Sequence, residues 1–183
     1  MNISVMAKSQ DVVVLLKWLC HSGTKNYADL AEELGMSVGE VHGATQRAAE
    51  AGLFDLESKR PRIQALKEYV VHGVKYAFPA LRGAPTRGMP TSYAASPLKE
   101  HFAQDEARAL PPVWPDPEGK ARGYALEPLF RSVPYAARRD RQLYELLALI
   151  DALREGRARE RNVAANELGR RLEAFAHREE SSA

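Results

Sequence analysis

The chain has 183 residues and a net charge of +2; 45% of the residues are hydrophobic and 27% are charged. This composition is typical of a soluble globular protein and excludes full disorder. No run of 18 apolar residues occurs, so the sequence predicts neither a membrane-spanning helix nor a membrane partner.

The first predicted helix extends from about Ser9 to Cys20 and has a broad apolar face. Charged residues interrupt its apolar run and no cleavage site follows, so we expect no signal peptide and a cytoplasmic protein. Cys20 is the only cysteine, which excludes an internal disulfide. Because Leu16 and Leu19 are its neighbours, we predict a buried, structural thiol.

Residues 27–47 read YADLAEELGMSVGEVHGATQR and predict two short helices joined by a tight turn. Gly35 can adopt the positive φ that such a turn requires. Ser37 and Glu40 form a capping box that begins the second of these helices, from about Val38 to Ala51. This pattern describes a helix-turn-helix, which holds its second helix out to enter a DNA major groove.

The same stretch resembles the helix-turn-helix core of bacterial winged-helix regulators of the MarR type. The continuation RAAEAGLF at 47–54 adds to the likeness, because those regulators pass from the recognition helix through a similar Ala-Gly-Leu into the wing. The resemblance implies a winged-helix DNA-binding domain over residues 9–78. It departs from the MarR pattern because few residues precede the first helix, so any dimer would depend on the C-terminal part.

A short β-wing and a fourth helix are predicted next. Residues 53–56 alternate as a strand does, residues 57–60 form a polar tip, and residues 61–63 are the returning strand. A helix from about Gln64 to Val74 follows. Residues 59–87 contain seven Lys/Arg and one Asp/Glu, whereas residues 1–58 contain four and eight. This basic block is where a winged helix places phosphate contacts, although a solvated loop with spare charges is the alternative.

Residues 79–134 are predicted to be an irregular connector. Residues 79–97 contain four prolines and two glycines and show no periodicity. A short helix is expected from Pro97 to about Phe102, and a small hairpin from Val113 to Leu126. The segment Leu81–Gly88 is either a basic arm lying along DNA or an ordered connector.

The C-terminal region, residues 135–176, is predicted to be a helical hairpin. Its longest apolar stripe is the predicted homodimer interface, because a two-fold interface uses the same patch twice. The competing use is intramolecular, in which the stripe covers the rest of the chain and leaves a monomer. The residues of the stripe are Leu143, Leu146, Leu147, Ile150 and Leu153.

The candidate DNA-binding residues lie on the exposed face of the third helix, at the wing tip and in the basic block. Gln46 can bond bidentately to adenine, and Arg47 can reach guanine or a phosphate. The wing-tip cations are the best phosphate or minor-groove candidates. The full set is Ser37, Val38, His42, Gln46, Arg47, Lys59, Arg60, Arg62, Arg82 and Arg87.

The sequence predicts no catalytic, cofactor or metal site. It contains neither G-x-S-x-G nor H-E-x-x-H, and it has no Cys–His pair with an orienting partner nearby. Its five histidines are scattered without ligand spacing. We therefore do not expect an enzyme.

Together these patterns predict a mainly α fold with a small β-wing: a winged helix-turn-helix, an irregular Pro/Gly-rich segment and a C-terminal helical hairpin. The expected function is sequence-specific binding of double-stranded DNA by a dimeric transcriptional regulator. The alternative is an antitoxin-like or scaffold protein that uses the winged helix and the C-terminal helices to bind a partner protein.

Overall fold

The computed structural model describes residues 7–21, 26–102 and 110–180. The protein is mostly helical, with one two-stranded and one three-stranded β-sheet. It forms two compact units: the first contains the chain up to Leu66 together with Leu129–Leu143, and the second contains Lys67–Pro128 and the chain from Tyr144 onward. This division differs from the three consecutive segments expected from the sequence (9–78, 79–134 and 135–176).

The first unit is built on helices α1 (Ser9–Cys20), α2 (Tyr27–Leu34) and α3 (Val38–Glu50), which confirm the three predicted helices. Their apolar faces form a core in which the Trp18 ring packs on Phe54, with ring centroids 5.3 Å apart. The Trp18 indole N–H donates to Thr45 Oγ1 at 3.2 Å, so its one polar atom is satisfied inside the core. The other large buried side chains of this core include Leu15, Leu16, Leu30 and Leu34.

A short antiparallel hairpin follows α3, as predicted. Strands β1 (Phe54–Asp55) and β2 (Arg60–Pro61) pair in the register Phe54↔Pro61. The tip is held by Asp55, whose carboxylate accepts a hydrogen bond from Ser58 Oγ at 2.5 Å. Lys59 adopts a positive φ of 53°, which lets the chain reverse within four residues.

The fourth predicted helix is present and longer than expected. It consists of α4 (Ile63–Glu68), a π-helical turn (Tyr69–Gly73) and α5 (Val74–Ala77). Such π-turns insert an extra residue into a helix and shift the faces on either side.

The second unit contains a small closed barrel of three strands, β3 (Arg82–Pro90), β4 (Pro112–Pro115) and β5 (Ala121–Leu126). The expectation of an irregular segment over 79–97 is therefore wrong for β3. The sequence shows no alternation of apolar and polar residues here, because glycines occupy positions where two strand backbones approach closely. A Cβ at Gly88 would collide with the Trp114 carbonyl, and a Cβ at Gly123 would collide with the Pro111 carbonyl.

The expected hairpin from Val113 to Leu126 is also wrong in its pairing. Strands β4 and β5 both pair antiparallel with β3, and they pair with each other in parallel. Their common partner, β3, is the strand that the sequence pattern did not reveal. The short helix expected up to Phe102 is present as α6 (Lys99–Phe102), preceded by a 3₁₀ turn (Ser92–Ala94).

The predicted C-terminal helices are present as α7 (Val133–Arg139), α8 (Arg141–Glu155) and α9 (Ala158–Glu180). The break between α7 and α8 was not predicted, and it occurs where the Asp140 carboxylate accepts the Leu143 N–H at 3.0 Å as an N-cap. Arg171 of α9 is paired with Glu145 of α8, with an Nη1–Oε2 distance of 2.6 Å.

The apolar stripe of α8 does not form the predicted dimer interface. Every one of its five leucine or isoleucine side chains is at most 3% exposed within a single chain, so the stripe has no free surface to offer a second copy. The burial agrees with intramolecular packing of the stripe, and the oligomeric state stays a prediction. The residues concerned are Leu143, Leu146, Leu147, Ile150 and Leu153.

A buried polar cluster centred on Asp151 lies in the second unit. Its carboxylate accepts hydrogen bonds from Thr91 Oγ1 at 2.7 Å and Trp114 Nε1 at 2.6 Å, and it pairs with Arg154 Nη1 at 2.7 Å. Arg154 also donates from Nε to the Phe78 carbonyl at 2.8 Å. Burial raises the pKa of Asp151, against the opposing effect of the Arg154 charge. The cluster thus ties α8 to the barrel.

No described helix of the protein has the length and apolar content that crossing a membrane requires.

Candidate nucleic-acid interface

The start of α3 is fixed by the predicted capping box. Ser37 Oγ accepts the Glu40 N–H at 3.2 Å, and Glu40 Oε2 accepts the Ser37 N–H at 2.8 Å. The hydrogen bond from the Ser37 backbone is the main reason that the pKa of Glu40 is lowered. The N-terminal turn of α3 is therefore held in one geometry without help from another molecule.

The turn before α3 depends on Gly35, which has φ +64° and ψ 37°. A Cβ at this position would lie 2.9 Å from Tyr135 Cδ1, so the glycine is required both by its conformation and by the ring that covers it. Tyr135 also donates from its hydroxyl to the Glu32 carbonyl at 3.4 Å. Helix α7 therefore buttresses the α2–α3 turn, a contact between residues 100 positions apart that no local pattern indicates.

Four of the predicted DNA-binding residues share the outer face of α3. Ser37, Val38 and His42 are exposed and Gln46 is half-buried, whereas the opposite face of the helix is buried. The His42 ring packs edge-on against Tyr27, with centroids 5.2 Å apart, which restricts the imidazole to one side of the helix. Gly39 and Gly43 lie between the larger residues of this helix and contribute no side chains to it.

Arg47 does not belong to that face, contrary to the sequence-based expectation. Its guanidinium donates to the Asp11 carboxylate through Nε at 3.0 Å and Nη2 at 2.6 Å. Asp11 is 1% exposed, and these hydrogen bonds raise the pKa of Arg47 above its ordinary value. This bidentate pair uses guanidinium N–H donors that a bidentate hydrogen bond to guanine would need. Arg47 is therefore assigned a structural role.

The three cations predicted at the wing tip lie on the β1–β2 hairpin. Lys59 and Arg62 are exposed, and Arg60 is half-buried on β2. The hairpin and α3 belong to the same unit, and the hairpin directly follows α3 in the sequence. The structure therefore presents two exposed positive charges on or next to the hairpin that follows α3.

The remaining two predicted residues, Arg82 and Arg87, lie in the second unit on β3. Arg82 pairs with Glu155 through Nη2 and Oε2 at 2.5 Å, and its guanidinium stacks on the Tyr124 ring 5.0 Å from the centroid. Its charge is therefore largely committed within the unit. Arg87 is exposed on the strand.

Sequence reasoning missed Arg131 as a candidate contact. Arg131 precedes α7, is 79% exposed, and approaches Glu40 with an Nη2–Oε1 distance of 3.5 Å. The charge is thereby placed at the N-terminal end of α3, beside the exposed face. Nothing in the local sequence could reveal this, because Arg131 reaches α3 only through the packing of α7 on the turn.

Cys20 is not fully buried, contrary to the prediction. It is partly exposed and lines a polar cavity of about 430 Å³ in the first unit. Lys17 in the same cavity is paired with Asp140 at 2.7 Å and with Glu33, and these hydrogen bonds outweigh burial and raise the pKa of Lys17. The cavity is thus walled mainly by groups that neutralise one another.

No family model, curated protein or solved structure matches this chain.

Proposed function

We propose that the protein is a transcriptional regulator that binds double-stranded DNA through a winged helix-turn-helix in its first unit. The observation that carries the proposal is the pairing of a capped, exposed helix face on α3 with the cationic β1–β2 hairpin. A helix of this kind fits the major groove, and a basic hairpin beside it can follow the phosphate backbone.

The roles of the residues follow from their chemistry. Gln46 has an amide that can donate to and accept from an adenine edge, and His42 can bond a base acceptor or a phosphate. Ser37 and Val38 at the first turn would lie closest to the groove floor. Lys59 and Arg62 would contact phosphates on one side, and we add Arg131 as a phosphate contact at the N-terminal end of α3.

The test is fluorescence anisotropy with a labelled duplex from the region upstream of the protein's own coding sequence. An unrelated duplex of equal length serves as the non-specific reference. We expect tighter binding to the upstream duplex and a steep fall of affinity with salt. The double variant Lys59→Gln/Arg62→Gln should weaken binding to both duplexes alike and reduce the slope of log K against log salt by up to about two units.

A matched control is Arg159→Gln/Arg170→Gln, which removes the same charge from exposed positions of α9. Equal slopes for wild type, the hairpin variant and this control would refute the proposed orientation. No binding by wild type at low salt would refute the function itself.

A dimer remains part of the proposal, because two copies could read half-sites about 34–36 Å apart. It would require a surface other than the buried stripe of α8. Light scattering of the full chain, alone and with the upstream duplex, tests the stoichiometry.

A second function, binding of a partner protein through the same unit, is favoured by two exposed apolar side chains. Val38 on α3 is 50% exposed and Leu56 at the hairpin tip is 42% exposed. Co-purification of a stoichiometric protein that Val38→Ser/Leu56→Ser abolishes, with no DNA binding, would support this alternative.

A further inference from the structure

Two arginines lie side by side on neighbouring strands of the barrel in the second unit. Arg87 of β3 and Arg122 of β5 are partners in an antiparallel register, so their side chains leave the same face of the sheet. Both are exposed. Lys120, just before β5, is exposed as well.

Such a pair is unfavourable on its own, because like charges directly opposite on neighbouring strands repel one another. Among the residues that the structure describes, neither guanidinium makes a hydrogen bond or ion pair. The acids of this region are engaged: Glu155 pairs with Arg82 and accepts the Tyr124 hydroxyl at 3.1 Å, and the Asp116 carboxylate accepts the Glu118 backbone N–H at 3.1 Å. The arrangement therefore leaves two adjacent guanidinium groups exposed on one face of the barrel.

The backbone beneath the pair is rigid. A Cβ at Gly88, next to Arg87, would collide with the Trp114 carbonyl, and a Cβ at Gly119 would collide with the Gly88 backbone. The Trp114 side chain is in turn fixed by Asp151. Little backbone entropy would thus be lost when the two arginines engage a common ligand.

We propose that Arg87 and Arg122 form a clamp for one phosphate of the DNA backbone, a second DNA contact carried by the second unit. This inference rests on the proposed function of the first unit. Two guanidinium forks can share the oxygens of a phosphodiester, which relieves their mutual repulsion and adds charge-assisted hydrogen bonds. The clamp positions DNA without reading sequence, since a phosphate carries no base information.

The experiment compares wild type, Arg87→Gln/Arg122→Gln and the control Arg159→Gln/Arg170→Gln by anisotropy on the upstream and the unrelated duplex. The clamp variant should bind both duplexes more weakly and show a salt slope smaller by about one unit, the contribution of one lost phosphate. The control should match wild type. Equal slopes for the clamp variant and wild type would overturn the proposal.

A second readout uses the free protein. At low ionic strength, Arg122→Gln should melt at a higher temperature than wild type because the repulsion is gone, and added inorganic phosphate should raise the melting temperature of wild type more than that of the variant. A lower melting temperature for Arg122→Gln, with no differential effect of phosphate, would contradict the clamp.

The two proposals fail differently. If Lys59→Gln/Arg62→Gln reduces the salt slope but the clamp variant does not, the clamp is wrong and DNA binding by the first unit stands. If wild type binds neither duplex, both proposals are wrong. If the clamp variant alone reduces the slope, DNA is bound by the second unit and the orientation of the first is wrong.

Discussion

Arg47 on α3 and Asp11 on α1 form a bidentate ion pair, with Nε–Oδ2 at 3.0 Å and Nη2–Oδ1 at 2.6 Å. Asp11 Oδ2 also accepts the Lys8 backbone N–H at 2.8 Å. The pair therefore fastens the last turn of α3 to the N-terminal turn of α1.

Replacing Arg47 should destabilise the fold rather than alter base preference. Arg47→Ala leaves the buried Asp11 carboxylate without its counter-charge, which costs about 3 kcal/mol of unfolding free energy. Guanidinium unfolding measures the loss, with Arg62→Ala as an exposed control expected to stay within about 0.5 kcal/mol of wild type. The double variant Asp11→Ala/Arg47→Ala should lose less than the sum of the single variants. A fully stable Arg47→Ala protein with relaxed base preference would instead make Arg47 a reader.

Gly35 should tolerate no side chain. Gly35→Ala forces a Cβ into the left-handed region, which costs about 1–2 kcal/mol, and brings that atom 2.9 Å from Tyr135 Cδ1. Gly39→Ala is the matched control, because its Cβ would meet nothing within 4 Å and alanine stabilises a helical position relative to glycine by up to about 1 kcal/mol. The two substitutions should therefore shift the unfolding midpoint in opposite directions. A shift in the same direction would show that the α2–α3 turn does not depend on this glycine.

The Asp151 cluster should be intolerant of an isosteric change. In Asp151→Asn the Arg154 side chain, 4% exposed, loses its counter-charge. In either orientation the new amide NH2 faces a donor, Arg154 on one side or Thr91 and Trp114 on the other. We therefore expect a loss of about 3–5 kcal/mol. Thermal unfolding of Glu127→Gln provides the control, since Arg154 contacts the backbone carbonyl of Glu127 and not its carboxylate. Equal melting of Asp151→Asn and wild type would mean that the cluster contributes little.

The capping box should make stability depend on pH at the acid end. The pKa of Glu40 lies below its ordinary value of 4.5, chiefly through the Ser37 backbone hydrogen bond. Ionised Glu40 therefore stabilises the fold above that ordinary value, and the contribution is lost as pH falls through the lower, folded-state pKa. Glu40→Gln retains a hydrogen-bond acceptor but does not titrate, so its stability should fall less steeply below about pH 4.5. Denaturant unfolding at several pH values tests this; parallel curves would contradict it.

Elements whose causes are local can be predicted from the amino-acid sequence. The bounds of α1, α2 and α3 follow from apolar periodicity, from the glycine at position 35 and from the Ser37–Glu40 capping box, and all of these interactions lie within four residues. The β1–β2 hairpin is similarly local. The exposed face of α3 follows from the same periodicity, because the residues that pack inward leave the others outside.

Features that depend on residues far apart in the chain could be identified only from the folded protein. Arg47 and Asp11 are 36 positions apart, and the choice between a base and a carboxylate for Arg47 required α1 to be in place. Three other features also depend on long-range packing. They are the pairing of β3 with two later strands, the contact of Arg131 with Glu40 of α3, and the burial of the α8 stripe. A local pattern shows that a side chain is apolar or charged, but its partner is chosen by long-range packing, and that choice separates a structural residue from one left free to bind.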